Sequence, residues 1–125
     1  MKNTLTILLL LLSTAVLGQR EYLEDKDVIQ QRAIAELGVA MHGPDGFLYK
    51  TVVKEKLTGR YHLEISLGDK GDIRSVQVLE RIGGDIPSQN RFKQLVHDSR
   101  FSSFKTPKGK QYRIEHHFDL DAIHR

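Results

Sequence analysis

The chain has 125 residues, a formal net charge of +3 and no cysteine. That length fits a single domain, and the missing thiols exclude a disulfide framework, a cysteine nucleophile, a thiolate metal site and a lipid-modified cysteine. Basic side chains gather late, with Arg91, Lys93, Arg100, Lys105, Lys108, Lys110 and Arg113 set against Asp98 alone over residues 91–113. In a cytoplasmic protein such a stretch would point to nucleic acid; the leader described next argues against that partner.

Lys2, the apolar run Leu5–Leu12 and the small Gly18 with Val16 two residues before it form a signal-peptidase profile. Leu5–Leu17 is shorter than the roughly 20 apolar residues that span a bilayer. The expectation is therefore a cleavable signal peptide over 1–18, a periplasmic or secreted protein without a lipid anchor, and no integral membrane span. Residues 19–26 read as a flexible lead-in, 27–120 as one domain and 121–125 as a tail.

From Asp27, the residues Val28, Ile29, Ala33, Ile34, Leu37, Ala40 and Met41 recur at helical spacing, with Asp25 or Asp27 placed to cap the helix and His42-Gly43-Pro44 to end it. Phe47–Leu57, rich in β-branched and aromatic residues, predicts a strand. Tyr61, Leu63, Ile65 and Leu67 alternate with polar neighbours, as in a strand with one buried face. Gly68-Asp69-Lys70-Gly71 is a turn, and Ile73–Leu79 returns as the next strand, with Ile73 out of phase with Val76 and Val78, which predicts a bulge near Arg74-Ser75.

Gly83-Gly84 breaks the chain, and Phe92, Leu95, Val96 and Ser99 mark a second helix beginning near Ser88. Phe101 and Phe104 are apolar anchors. Tyr112, Ile114, His116, Phe118 and Leu120 alternate with Arg113, Glu115, His117 and Asp119 in a final strand. The expected fold is α+β: a small antiparallel sheet of three to four strands with two helices packed on one face.

Catalytic patterns are weak. His97-Asp98-Ser99 has the residue types of a hydrolase triad, but neighbours on a helix point about 100° apart and cannot relay a proton. His62 with Glu64, and His117 with Glu115 and Asp119, share the polar face, yet no His-x-x-x-His spacing exists to recommend a metal. Glycines at 68, 71 and 109 fit turns and match no phosphate loop. The reading is a non-enzyme with no cofactor, no metal ligand and no catalytic residue.

One resemblance goes further. Gly59–Leu67 followed by Gly71–Val78 resembles the first hairpin of the TonB C-terminal domain. Phe92–Val96 matches that family's helix, Arg100-Phe101 its aromatic helix exit, Pro107-Lys108-Gly109 its turn, and Tyr112–Leu120 its last strand ending in F-x-L. The resemblance spans about Tyr49–Leu120 and implies an envelope interaction module that adds an extended peptide or partner strand to a sheet edge. On that basis the last strand is the expected edge, with Tyr112, Arg113, Ile114, Glu115 and His117 as partner-binding residues. With three prolines and no Pro-rich spacer, the expectation is a free-standing domain and not a force transducer. The leading helix also resembles small exported PepSY or cystatin-like folds, which implies the alternative of an inhibitor or regulator of an envelope enzyme.

Overall fold

A computed structural model describes residues 20–42 and 44–125; the leader expected over 1–18 and Gly43 of the expected helix stop lie outside them. In chain order the elements are β1 (Glu21–Tyr22), α1 (Lys26–Met41), α2 (Phe47–Glu55), β2 (Arg60–Leu67), a 3-10 turn (Asp69–Gly71), β3 (Ile73–Ile82), α3 (Ile86–Asp98), β4 (Phe104–Lys105), β5 (Tyr112–Asp119) and a 3-10 turn (Asp121–His124). The fold is α+β, as the periodicities predict, with β3-β2-β5 forming an antiparallel sheet and β1-β4 a separate parallel pair.

Among the described residues three helices form where two are expected, because Phe47–Glu55 is helical. As a strand, Lys50 and Lys54 would share a face with Leu48 and Val52. A helix instead brings Leu48 and Val52 together at i and i+4 and buries both, leaving the lysines in solvent. The gain from burying one coherent apolar stripe outweighs the β preference of the Thr51-Val52-Val53 run.

The lead-in is also structured. The Arg20 guanidinium reaches the carbonyls of Lys70, Phe101 (2.9 Å) and Phe104 (2.9 Å). Glu21 N–H donates to Ser103 O (3.1 Å), Leu23 N–H donates to Lys105 O (2.9 Å), and the Leu23 side chain is buried. Polar composition suggests disorder at 19–26, but long-range carbonyl acceptors hold Arg20–Leu23 in place. Asp25 then caps α1 by accepting from the N–H groups of Asp27 (2.8 Å) and Val28 (3.2 Å). At the other end, the 121–125 tail is tied to the domain. Asp121 Oδ1 accepts from Gly59 N–H (2.8 Å), and His124 Nε2 lies 2.8 Å from Leu57 O.

The core lies between the helices and one sheet face. Tyr61, Leu63, Ile65 and Leu67 of β2, Ile73 and Val76 of β3, and Tyr112, Ile114 and Phe118 of β5 face Ile29, Ala33 and Leu37 of α1 and Phe92 and Val96 of α3. Phe92 stacks on Tyr61 (centroids 5.9 Å apart) and meets the edge of Phe118 at 5.1 Å. Between β2 and β3 the register slips twice, leaving Leu79 and Arg74 as extra residues. The Arg74 bulge falls where the broken alternation predicts it and returns Ile73 to the core face opposite Leu67.

Candidate partner-binding edge

Among the described residues strand β5 pairs with β2 alone, without a register slip, from Arg60↔Asp119 to Leu67↔Tyr112. The phase of this ladder follows from one bond just beyond it, in which Leu120 N–H donates to Gly59 O (3.0 Å). Antiparallel ladders alternate hydrogen-bonded and non-hydrogen-bonded pairs, so Tyr112, Ile114, His116 and Phe118 turn their backbone groups toward β2. Arg113, Glu115, His117 and Asp119 turn theirs away, toward the open side of the strand. Gly59 itself has φ +111°, a conformation glycine adopts freely as the chain enters β2.

The five residues expected at the partner site divide by the same alternation. Tyr112 and Ile114 are core residues; the Tyr112 hydroxyl donates to Glu24 O at 3.2 Å, and Ile114 is 1% exposed. Their side chains are not presented to the surface. Arg113, Glu115 and His117 are exposed on the polar sheet face. Two positions outside the expected set belong with them: Asp119, which continues the outward row, and His116, whose half-buried ring meets Phe118 edge-on at 4.8 Å. Strand parity already carries the signal for Asp119; the neighbourhood of His116 depends on where α1 and α2 pack.

On the polar face, His62 and His117 stand opposite each other in a non-hydrogen-bonded pair, where side chains approach closely. Their rings stack with centroids 4.0 Å apart and 18° between planes. Glu115 places Oε2 3.2 Å from His62 Nε2. Asp119 accepts from Ala122 N–H (3.0 Å) and lies 3.7 Å from the Arg125 guanidinium. Arg113 has no ion-pair partner among the described residues; its cross-strand neighbour is Ser66. No three His, Asp or Glu side chains among the described residues come together as a metal-binding group.

Beside the end of β5 an open cleft of about 390 Å³ separates His116–Asp119 from Gly38, Met41, His42, Tyr49 and Ile123. Burial there holds the His116 ring below the ordinary histidine range, and the nearby His117 and His42 add to the depression. His116 is thereby kept neutral at physiological pH.

The opposite edge, β3, differs in kind. Its two bulges interrupt the row of free backbone groups, and His97 of α3 places Nε2 3.2 Å from the Arg74 carbonyl. Bulges and helix cover are devices that blunt an edge against further pairing. Strand β5 has no bulge, no proline and no lysine over Tyr112–Asp119.

The His97-Asp98-Ser99 triplet at the end of α3 is engaged in separate contacts. His97 Nδ1 lies 3.5 Å from Asp98 Oδ1, its Nε2 lies 3.2 Å from Arg74 O, and the Ser99 hydroxyl donates to Val96 O. No helix among the described residues is long and apolar enough to cross a membrane. No protein-family model, curated protein or solved structure matches this chain, so the likeness to the TonB C-terminal domain rests on the residues quoted for it above.

Proposed function

We propose that this protein is a non-catalytic interaction module of the cell envelope that takes an extended peptide or partner strand onto β5, in the manner of a TonB C-terminal domain. The observation that carries this reading is the regularity of that edge: eight residues paired, among the described residues, on one side only and in register throughout. Main-chain N–H and C=O groups of Arg113, Glu115, His117 and Asp119 supply the affinity in such a mode, and the side chains beside them supply selectivity. The exposed Arg113, Glu115 and His117 would read the partner from the polar face. Tyr112 and Ile114 serve by holding the strand flat against the core.

Export by the expected leader fits an envelope partner, and a surface that works by shape and backbone pairing needs no cofactor. The test is Glu115→Pro. At this position the missing N–H points away from β2, so the internal ladder is kept while the outward row is broken. An isotope-labelled domain titrated with extended peptides from envelope receptors is expected to shift at residues 113–119 in the parent and not in the variant. Shifts that map elsewhere, or that survive Glu115→Pro, would refute edge addition on β5.

A further inference from the structure

We infer that the cleft beside β5 receives an aromatic side chain, tyrosine before all others, carried by the foreign strand that adds to that edge. This rests on the reading of β5 as an accepting edge and names a residue its partner presents. Strand geometry gives the place. The cleft has His116–Asp119 on one side and the last turn of α1, Tyr49 and Ile123 on the other. His117 and Asp119 turn backbone groups to the open side of β5, and His116 and Phe118 turn their side chains to the helix side, so the cleft opens at the edge on the helix face of the sheet. Residues directly opposite on neighbouring strands share a face. A partner residue set opposite His116 or Phe118 therefore projects into the cleft. Its far wall, α1 (Lys26–Met41), lies outside the span Tyr49–Leu120 that resembles the TonB C-terminal domain, so the resemblance does not imply this site.

The lining sets the chemistry. Met41 and Phe118 are buried at the floor, and Ile123 packs against the core beside them. Above this apolar floor stand three polar side chains the fold does not use. Among the described residues the tyrosine and histidine side chains with hydrogen bonds are those of Tyr61, Tyr112, His97 and His124, with His62 against Glu115; His42, Tyr49 and His116 are not among them. The half-buried His116 ring is neutral, and a neutral imidazole keeps one acceptor nitrogen. A ring that is apolar along its body and carries an O–H at its tip matches both parts, with the hydroxyl donating to His116. Charged occupants match less well. The C-terminal end of α1 disfavours a carboxylate, and the one carboxylate that could hold a cation, Asp119, already accepts from Ala122 N–H and lies 3.7 Å from Arg125.

A separate observation concerns Gly38. It stands within α1 and not past its end, and it is absent from the glycines with positive φ. A Cβ built there meets nothing within 4 Å. Glycine weakens a helix relative to any residue but proline, yet here neither a turn nor close packing calls for one. What its missing side chain leaves is open space in the cleft that Gly38 lines, and that space is what an incoming ring needs.

The test uses isotope-labelled protein expressed from the whole 125-residue sequence and two kinds of probe. The first is a host peptide of alternating threonine and valine with one central guest position, made with Tyr, Phe, Lys or Ala. The Tyr peptide is expected to bind about tenfold or more tighter than the Ala peptide and about two- to tenfold tighter than the Phe peptide. His116→Leu is expected to abolish the preference for Tyr over Phe. The second probe is p-cresol alone, which needs no strand pairing and is expected to shift Gly38, Met41, His42 and Tyr49. Gly38→Leu fills the cleft with a better helix former. It is expected to melt no lower than the parent, to abolish the p-cresol shifts, and to raise the Kd of the Tyr peptide about tenfold while leaving the Ala peptide unchanged.

Peptides that shift residues 113–119 equally whatever the guest, or bind best with Lys, overturn the tyrosine site and keep β5 as an accepting edge. So does p-cresol that leaves the cleft unshifted, or a Gly38→Leu variant that binds the Tyr peptide like the parent. A preference for Tyr over Phe that survives His116→Leu overturns the role given to that ring. Shifts with p-cresol but with no peptide at residues 113–119 refute the edge itself, and with it the delivery of the ring by an added strand.

Discussion

Replacing Arg20 with alanine tests whether the segment Arg20–Leu23 is part of the fold. One guanidinium nitrogen, Nη2, lies within hydrogen-bonding reach of the carbonyls of Lys70, Phe101 and Phe104, so two protons are shared among three acceptors. A hydrogen bond from a charged donor is worth about 1.5–3 kcal/mol, but the three are not independent and the site is only partly buried, so the sum is reduced. The expected loss for Arg20→Ala is roughly 2–3 kcal/mol. For a domain of about 100 residues that lowers Tm by about 8–12 °C. Arg20→Lys keeps the charge and loses the planar fork that reaches several carbonyls at once, and is expected to recover about half of the loss. Urea unfolding followed by circular dichroism measures both, with an unchanged m-value as the sign that only stability has moved. A loss under about 0.5 kcal/mol for Arg20→Ala, the size of an ordinary surface substitution, would refute the idea that this anchor holds β1 against β4.

The adjacent glycines 83 and 84 are predicted to differ on substitution. Both have positive φ, but a Cβ at 83 meets nothing nearer than Asp121 Oδ2 at 3.8 Å, whereas one at 84 comes within 2.7 Å of Thr58 O and 2.8 Å of the Tyr61 hydroxyl. Gly83→Ala should cost about 1 kcal/mol for the backbone conformation alone, and Gly84→Ala roughly 2–4 kcal/mol because it also disturbs the bond from Tyr61 to Thr58 O; equal losses in urea unfolding would contradict the steric account. His116 makes stability depend on pH. Burial first, then His117 and His42, depress its protonation in the fold, so the unfolded chain takes the proton more readily and stability falls as pH drops below about 6.5, the ordinary histidine value. Urea midpoints measured from pH 8 to 5 should show that decline in the parent and a shallower one in His116→Leu.

Strands β2 and β5 and helices α1 and α3 are readable because each buries a single face: alternation in Tyr61–Leu67 and Tyr112–Leu120 and helical spacing from Ile29 to Met41 both report which side meets the core, although Val28, expected on the same stripe, is exposed. Even the Arg74 bulge is legible, since it repairs a break in parity that the residues themselves display. Phe47–Glu55 misleads because its β-branched run carries strand preference while its burial needs only Leu48 and Val52, a two-residue stripe too short to announce a helix. The polar face and its charge order are likewise set by the alternation, so Arg113, Glu115, His117 and Asp119 can be placed together from residue order.

What residue order cannot decide is how distant segments meet. That Arg20 finds the carbonyls of residues 70, 101 and 104, and that β2 lies inside the sheet with β3 and β5 on either side of it, depend on contacts between parts of the chain far apart in sequence. Local preference determines which face of an element is apolar; the packing of those faces against one another determines which strand is left with an open side, because only the completed sheet has an edge.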